Sequence, residues 1–203
     1  MPEPRSSSVT RDNSSTLMAM SDRRPQAAAI GVQSGREIAE LAAAYCGLIE
    51  ASGAASTPWL VQVADLLPRL HAAVLSLGLT DDEDVEPLTP DLDARFELYT
   101  HLRELLGDRD GYWLEFDRVG EHRMMTGSLA DDLTDIYCEL KHGLRVHERH
   151  PHLAGRGWYH GFAAHWGQHL VDAVRHLSSL EAQGRLDEGP VSASGPRGSG
   201  IET

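Results

Sequence analysis

The stretch SLADDLTDIYCELKHGLRVH, residues 128–147, decides the fold class of this protein. Apolar residues recur in it every three or four positions, which is the spacing of one face of an α-helix. That face consists of Leu129, Leu133, Ile136, Tyr137, Leu140 and Leu144. Ser128 is a residue type that caps helix N-termini, and Asp131 is in position to complete a capping box with it. The stretch therefore predicts an amphipathic helix that begins at Ser128.

Four more helices are predicted from the same periodicity and from residues that favour helix starts. Three of them precede the helix at residues 128–147, and one follows it. Their predicted bounds are Ser34 to Ser52, Thr57 to Leu77, Thr89 to Gly107, and Trp158 to Gln183. Because no strand alternation is sustained anywhere, we predict an all-α fold, a single helical bundle of about five main helices.

Three segments interrupt this pattern. Pro68 lies inside the second helix and should kink or split it. A loop with several histidines joins the fourth and fifth helices, so that these two are expected to pack antiparallel. Residues 108–127 are irregular, and the aromatic run 112–116 is expected to form a short extended piece that plugs one end of the bundle.

Composition places the helices in one domain with a tail on either side. The chain has 203 residues, and both of its ends are rich in Ser, Gly, Pro or Arg without apolar periodicity. Such segments cannot bury enough apolar area to offset the entropy lost on ordering. We therefore expect disordered tails at residues 1–30 and 186–203 around an all-helical domain at residues 31–185.

The charge of the chain restricts its partners. The formal net charge is −13, from 31 acidic and 18 basic residues. Such a surface repels phosphate backbones and anionic lipid, so neither nucleic acid nor membrane is an expected partner. A homo-oligomer or a protein partner stays open. The chain has no apolar run near the about 20 residues of a membrane span, no apolar core of a secretion signal, and two cysteines inside predicted helices, which together predict a cytoplasmic protein.

Two polar stripes border the apolar faces of the fourth and fifth predicted helices. One stripe has acidic residues at i, i+3 and i+7, and the other has two histidines and an aspartate at i, i+4 and i+7. Side chains of these types can ligate a divalent transition-metal ion between facing helices. If both stripes face one groove, they form a single candidate metal site. Its residues are Asp132, Asp135, Glu139, His165, His169 and Asp172.

The same stripes have an interpretation without a metal. Histidine and aspartate at the boundary of a core form hydrogen bonds with each other or with the backbone, and Asp172 could pair with Arg175 or His176. The acidic stripe would then need solvent or arginines opposite it. A metal site instead requires atoms of both stripes to come within about 5 Å of a common point, because metal–ligand distances are near 2 Å.

Two segments of the chain resemble a bacterial family of unknown function, DUF5063. They read GSLADDLTDIY at residues 127–137 and FAAHWGQHLVDA at residues 162–173. The run 66–70 and the pair Tyr112-Trp113 fit the same pattern, and the resemblance covers roughly residues 34–183. It implies a compact, all-helical, cytoplasmic domain, and it implies no activity.

The sequence is compatible with two functional interpretations. The preferred interpretation is a non-catalytic binding or regulatory module that works through a groove or an oligomer surface. The alternative is a metal-dependent enzyme, such as a hydrolase, whose cofactor is a divalent metal ion held by the two stripes. A water molecule bound to the ion would then be the nucleophile. The chain has no phosphate-binding loop, dinucleotide fingerprint or Gly-x-Ser-x-Gly elbow that would indicate another class of enzyme.

Overall fold

Five long helical rods and one β-hairpin make up the part of the chain that the structure describes. The structure is a computed structural model, and it describes residues 23–53, 59–77, 91–118 and 121–187. The α-helices are α1 (Arg23–Glu50), α2 (Trp59–Leu75), α3 (Leu92–Leu106), α4 (Leu129–Arg149), α5 (Pro151–Gly161) and α6 (Gly167–Ala182). A π-helical turn, Phe162–Trp166, joins α5 to α6 without a break, and these three segments form the fifth rod. The predicted all-α class is confirmed.

Helix α4 is the centre of the bundle, since it contacts α1, α3, α5 and α6. Its predicted apolar face is turned into the core, where Tyr137 and Leu144 are partly buried and the other four residues are inaccessible to solvent. Burying each Leu or Ile side chain contributes about 2 kcal/mol. The periodicity of residues 128–147 is therefore explained by the position of α4 in the middle of the fold.

The start of α4 at Ser128 is confirmed, although the capping differs from the prediction. Ser128 Oγ accepts a hydrogen bond from the backbone N–H of Asp131 at 3.3 Å. The Asp131 carboxylate, however, pairs with Arg95 and does not complete a capping box. The carboxylate of Asp110 accepts hydrogen bonds from Ser128 Oγ at 2.9 Å and from the backbone N–H of Ala130 at 2.8 Å. Asp110 thereby fixes the chain before the hairpin to the start of α4.

One other predicted helix start is corrected, and the third helix has an N-cap that was not predicted. Helix α1 already begins at Arg23, and Ser34 lies inside it. Helix α3 is capped by Asp91, whose carboxylate accepts hydrogen bonds from two backbone N–H groups of the first turn at 3.2 Å. The predicted starts at Thr57-Pro58 and Thr89-Pro90 lie outside the described residues.

Proline has different consequences at positions 68 and 151. Pro68 lies inside α2, which runs from Trp59 to Leu75 as one helix and is not split. Pro151 occupies the first position of α5, where a missing N–H costs nothing. The prediction of a histidine-containing loop between the fourth and fifth helices is wrong, because only His150 separates α4 from α5.

The segment predicted to be irregular forms an antiparallel hairpin between α3 and α4. Its strands are β1 (Gly111–Arg118) and β2 (Glu121–Ser128), and a short 3₁₀ turn, Gly107–Arg109, precedes them. Tyr112 is 8% exposed and packs on the core, whereas Trp113 is 63% exposed. Because successive side chains of a strand point to opposite faces, Tyr112 packs inward as expected and Trp113 does not. The side chain of Phe116, also part of the predicted aromatic plug, lies outside the described residues.

The ends of the domain differ slightly from their predicted positions. Residues 23–30, predicted as part of a tail, have helical backbone and belong to α1. At the other end, Leu186 is buried against the core. The rest of the predicted tails, residues 1–22 and 188–203, lies outside the described residues. None of the helices in the described ranges is long and apolar enough to cross a membrane.

Candidate functional site

Helix α4 and the rod formed by α5 and α6 pack antiparallel, as predicted. Trp158 contacts Leu140, and His169, eleven residues further along the chain, contacts Asp132. Residue numbers therefore increase along one helix as they decrease along the other. This packing turns the two predicted polar stripes toward each other. The candidate site therefore lies between α4 and α6, at the edge of the core.

His169 bridges two buried carboxylates of α4. Its Nδ1 lies 2.8 Å from Asp132 Oδ1, and its Nε2 lies 3.3 Å from Asp135 Oδ2. Asp132 and Asp135 are both almost fully buried, and they stand one helical turn apart on α4. A single imidazole ring thus contacts one oxygen of each carboxylate.

His165, one turn before His169, is oriented in the same way. Its Nδ1 lies 3.2 Å from Glu139 Oε1, and its Nε2 lies 3.9 Å from Asp135 Oδ2. The two imidazole rings are 5.0 Å apart and nearly perpendicular. Each histidine therefore directs Nδ1 to its own carboxylate and Nε2 toward the same oxygen of Asp135.

The separations among these atoms are close to those of a metal site. One ligand atom from each of Asp135, His165 and His169 lies within 4.8 Å of the other two. In a tetrahedral zinc site with bonds of 2.0–2.1 Å, ligand atoms are about 3.3 Å apart. The distance from His169 Nε2 to Asp135 Oδ2, 3.3 Å, matches this value, whereas the distance from His165 Nε2 to the same oxygen, 3.9 Å, is longer. The geometric requirement set by the sequence analysis is met by these three residues.

Arg95 on α3 contacts the opposite side of Asp135. Its Nε lies 2.7 Å from Asp135 Oδ1, and its Nη2 lies 2.8 Å from Asp131 Oδ1. The hydrogen bond to Asp135 is the main reason that the pKa of Arg95 is above its ordinary value. Arg95 donates a hydrogen bond to Oδ1 of Asp135, so that Oδ2 remains to face the two imidazoles. The acidic stripe was expected to need arginines opposite it, but nothing in the sequence singles out Arg95.

Tyr112 reaches the site from the hairpin. Its hydroxyl donates a hydrogen bond to Asp132 Oδ2, while Oδ1 of the same carboxylate contacts His169. Burial and the hydrogen bond to Asp132 both raise the pKa of Tyr112, so that its hydroxyl stays protonated. Tyr112 was not predicted as part of the site, because neither its place in an aromatic run nor its fit to the family pattern indicates a hydrogen bond to α4.

The electrostatics of the cluster favour one additional positive charge. The hydrogen bond to Asp132 raises the pKa of His169 above its ordinary value, and the charge of Asp135 adds to this effect, although burial opposes it. Burial also raises the pKa of Asp132, against the hydrogen bonds from His169 and Tyr112. A proton on His169 or a cation between the imidazoles and Asp135 would satisfy these groups.

Asp172 lies at the margin of the cluster. Its Oδ2 accepts a hydrogen bond from Gln168 at 2.8 Å, and its Oδ1 is 3.9 Å from Arg175 Nε. His176, the other partner considered for Asp172, instead contacts the backbone carbonyl of Arg109 at 2.8 Å. Of the six residues in the candidate site, the structure brings five together, and it leaves Asp172 with neighbours on its own helix.

Two glycines allow the close packing around the histidines. The π-helical turn before α6 is closed by a hydrogen bond from the backbone N–H of Gly167 to the carbonyl of Phe162. A Cβ atom at Gly167 would lie 2.4 Å from that oxygen, and a Cβ atom at Gly161 would lie 2.9 Å from Glu139 Oε2. The backbone can approach these oxygens because both positions lack a side chain. π-Helical turns are frequent at functional sites, and this one includes His165.

The fold and the site define a class of protein, an all-helical domain with a histidine–carboxylate cluster between two antiparallel helices. The chain belongs to the family described as Domain of unknown function (DUF5063), whose model matches residues 33–183. The resemblance found in the sequence is thereby confirmed.

The crystal structure of protein BF1032 from Bacteroides fragilis has a similar fold. The two chains superpose with a TM-score of 0.56 at 22% sequence identity, over 71% of this chain and 90% of that chain. No curated protein matches this chain. The likeness supports the fold.

Proposed function

We propose that this domain binds a divalent transition-metal ion through Nε2 of His165, Nε2 of His169 and Oδ2 of Asp135. The observation on which the proposal depends is the shared orientation of the two imidazoles. Histidines that ligate metals almost always donate their other ring N–H to a carboxylate, a carbonyl or water, which fixes the tautomer and the ring direction. Asp132 and Glu139 occupy that position for His169 and His165.

The ligand types favour particular metals. Two imidazole nitrogens and one carboxylate oxygen suit Zn²⁺ and Fe²⁺, whereas Ca²⁺ and Mg²⁺ prefer oxygen ligands alone. The two histidines therefore distinguish this cluster from an ordinary acidic surface, which would bind Ca²⁺ or Mg²⁺ at least as well. Selectivity for Zn²⁺ over Ca²⁺ is part of the proposal.

A second candidate function, metal-dependent hydrolysis, is favoured by the exposure of one ligand. The side chain of His165 is 50% exposed, so that solvent can reach this side of the cluster. Catalytic zinc sites typically have three protein ligands and an open position for water, which the metal activates as a nucleophile. Zinc-loaded protein should then hydrolyse a chromogenic ester or phosphodiester, and H165A should not. If no such substrate is turned over by zinc-loaded protein, the domain is better described as a binding module.

Calorimetric titration of the full-length, metal-stripped protein without a histidine tag tests the proposal. We expect one equivalent of Zn²⁺ to bind, no measurable binding of Ca²⁺, and loss of Zn²⁺ binding in the H165A/H169A double variant. Circular dichroism of that variant shows whether the helices are retained, so that lost binding is not confused with unfolding.

The exposed histidines near His150 provide the matched control. The rings of His150 and His152 are 6.2 Å apart on the surface, where they could bind metal adventitiously. The H150A/H152A variant should bind Zn²⁺ as the unmodified protein does. If this variant abolishes binding, or if the unmodified protein binds no Zn²⁺, the proposal is wrong and the cluster is a metal-free polar network.

A further inference from the structure

We propose that Tyr112 is a positioning residue for this metal site and that it acts on His169 through the carboxylate of Asp132. The inference rests on the proposed function, and it extends the site to the β-hairpin, which supplies no ligand. It predicts that the affinity for the metal depends on a hydroxyl group that never contacts the ion.

The two oxygens of Asp132 have separate donors. Tyr112 donates to Oδ2, and His169 Nδ1 lies 2.8 Å from Oδ1. With both oxygens engaged, the carboxylate cannot rotate without losing a hydrogen bond, so it holds the His169 ring with Nε2 toward Asp135. Partners of this indirect kind typically contribute 10- to 100-fold to metal affinity. Loss of the hydroxyl would free the carboxylate and loosen the imidazole.

The ring of Tyr112 is fixed from several sides. His176 stacks on it at 4.6 Å between ring centres, and the guanidinium carbon of Arg175 lies 5.4 Å from its centre. Across the hairpin, Tyr112 pairs with Gly127, where an added Cβ atom would lie 2.3 Å from the tyrosine ring. The ring therefore lies in space that a glycine on β2 leaves open.

The hairpin itself is attached firmly to α4. The backbone N–H of Leu129 donates to the carbonyl of Asp110 at 2.9 Å, and the Asp110 carboxylate contacts Ser128 and Ala130. Asp110 precedes Tyr112 by two residues, and Asp132 lies in the first turns of α4. The distance between the tyrosine hydroxyl and its acceptor is thus set by a short, rigid stretch of structure, which suits a positioning role.

The test compares Y112F with Y137F by Zn²⁺ titration. Both variants remove a hydroxyl that donates to a carboxylate. The Tyr112 hydroxyl donates to Asp132 in the site, whereas the Tyr137 hydroxyl donates to Glu50 at 2.8 Å, away from the site. We expect Y112F to weaken Zn²⁺ binding about 10-fold or more with one equivalent still bound. Y137F should bind Zn²⁺ with unchanged affinity.

Two further measurements test the positioning role. In zinc-loaded Y112F, the ¹⁵N resonances of the His169 ring should shift relative to the unmodified protein, while those of His165 should not. The G127A variant, which displaces the ring but retains the hydroxyl, should also weaken Zn²⁺ binding.

The outcomes distinguish the two proposals. If the unmodified protein does not bind Zn²⁺, the proposed function fails, and this inference fails with it. If the unmodified protein binds Zn²⁺ and Y112F binds it equally well, the inference alone is wrong. A lower melting temperature of metal-free Y112F with unchanged affinity would assign Tyr112 to packing and would also overturn it.

Discussion

Glu50 shows at the scale of one residue how a carboxylate connects two helices outside the candidate site. Its Oε1 accepts hydrogen bonds from the hydroxyl of Tyr137 at 2.8 Å and from Nζ of Lys141 at 2.6 Å. The bond from Lys141 has the largest effect in lowering the pKa of Glu50 below its ordinary value of 4.5. The contact joins the end of α1 to the middle of α4.

This lowered pKa predicts how stability should depend on pH. A carboxylate whose pKa is lower in the folded state stabilises that state above its unfolded pKa, and this contribution is lost as the pH falls through the folded value. We expect E50Q to lower the free energy of unfolding at pH 7 by less than about 1 kcal/mol, because the contact is partly exposed. Urea unfolding should show that the difference shrinks as the pH falls below about 4.5, because the loss begins at the ordinary pKa of the carboxyl and ends at its lowered folded pKa.

The E40Q variant on the same helix is the control for this prediction. Glu40 pairs with Arg36 one turn away, and both side chains are largely exposed. We expect E40Q to change the free energy of unfolding by a few tenths of a kcal/mol at most. A deficit of E50Q that stays constant from pH 7 to pH 3 would show that it does not come from the charge of Glu50.

At the same scale, the sequence predicts some site residues and misses others for a physical reason. Asp135, His165 and His169 were found because helical spacing puts them on the edges of two apolar faces. Arg95 and Tyr112 contact the site from 40 and 20 residues away along the chain. Such contacts depend on how α3 and the hairpin dock, which no local spacing encodes.

The π-helical turn, Phe162–Trp166, is the element that sets the direction of His165. Its closing hydrogen bond brings the backbone of Gly167 against the carbonyl of Phe162. We expect G167A to lower the free energy of unfolding by about 1–3 kcal/mol, because the new Cβ atom forces the turn to shift. We also expect G167A to bind Zn²⁺ more weakly. Thermal unfolding and calorimetric titration measure the two effects.

The G47A variant provides the matched control for this prediction. Gly47 is also helical, but a Cβ atom added there meets no atom within 4 Å. We expect G47A to be neutral or to stabilise the protein by up to about 1 kcal/mol, since Ala favours helices. If G167A is as stable as G47A, the close approach at Phe162 has no energetic consequence.

Helices were predicted better than their boundaries or the hairpin. The apolar period of 3.6 identified every long helix among the described residues, because burial of one face supplies most of the energy of helices in a bundle. Ser34 and Glu37 resemble a helix start, yet such residues also occur inside a helix, as they do in α1. The extended piece predicted at residues 112–116 is part of β1, but its partner strand β2 was missed because its sequence has no sustained alternation of apolar and polar residues.

At the scale of the whole molecule, the proposed metal would link two parts of the chain. Its proposed ligands are Asp135 on α4 and His165 and His169 on the fifth rod. Free Zn²⁺ at 100 times its Kd should add about 2.7 kcal/mol to the free energy of unfolding. For a domain of this size, that corresponds to a rise in Tm of roughly 5–10 °C. Scanning calorimetry at buffered free Zn²⁺ measures this shift.

A chelator should reverse the rise in Tm, and the H165A/H169A variant should show none. An equal rise in that variant would place the bound zinc elsewhere on the molecule.

The large-scale prediction of one helical domain depended on summed periodicity and composition, which tolerate errors at single boundaries. The exclusion of nucleic acid stays a prediction from a net charge of −13, and a protein partner or a homo-oligomer stays open, because both depend on surfaces.

The contrast between Trp113 and the other tryptophans has a practical consequence. Three tryptophans are shielded from water, namely Trp59, Trp158 and Trp166. The indole of Trp113, which follows Tyr112 in β1, is exposed on the hairpin. A neutral aqueous quencher such as acrylamide will reach that fluorophore far more readily than the rest. The quenchable emission therefore monitors the hairpin in solution without any attached dye.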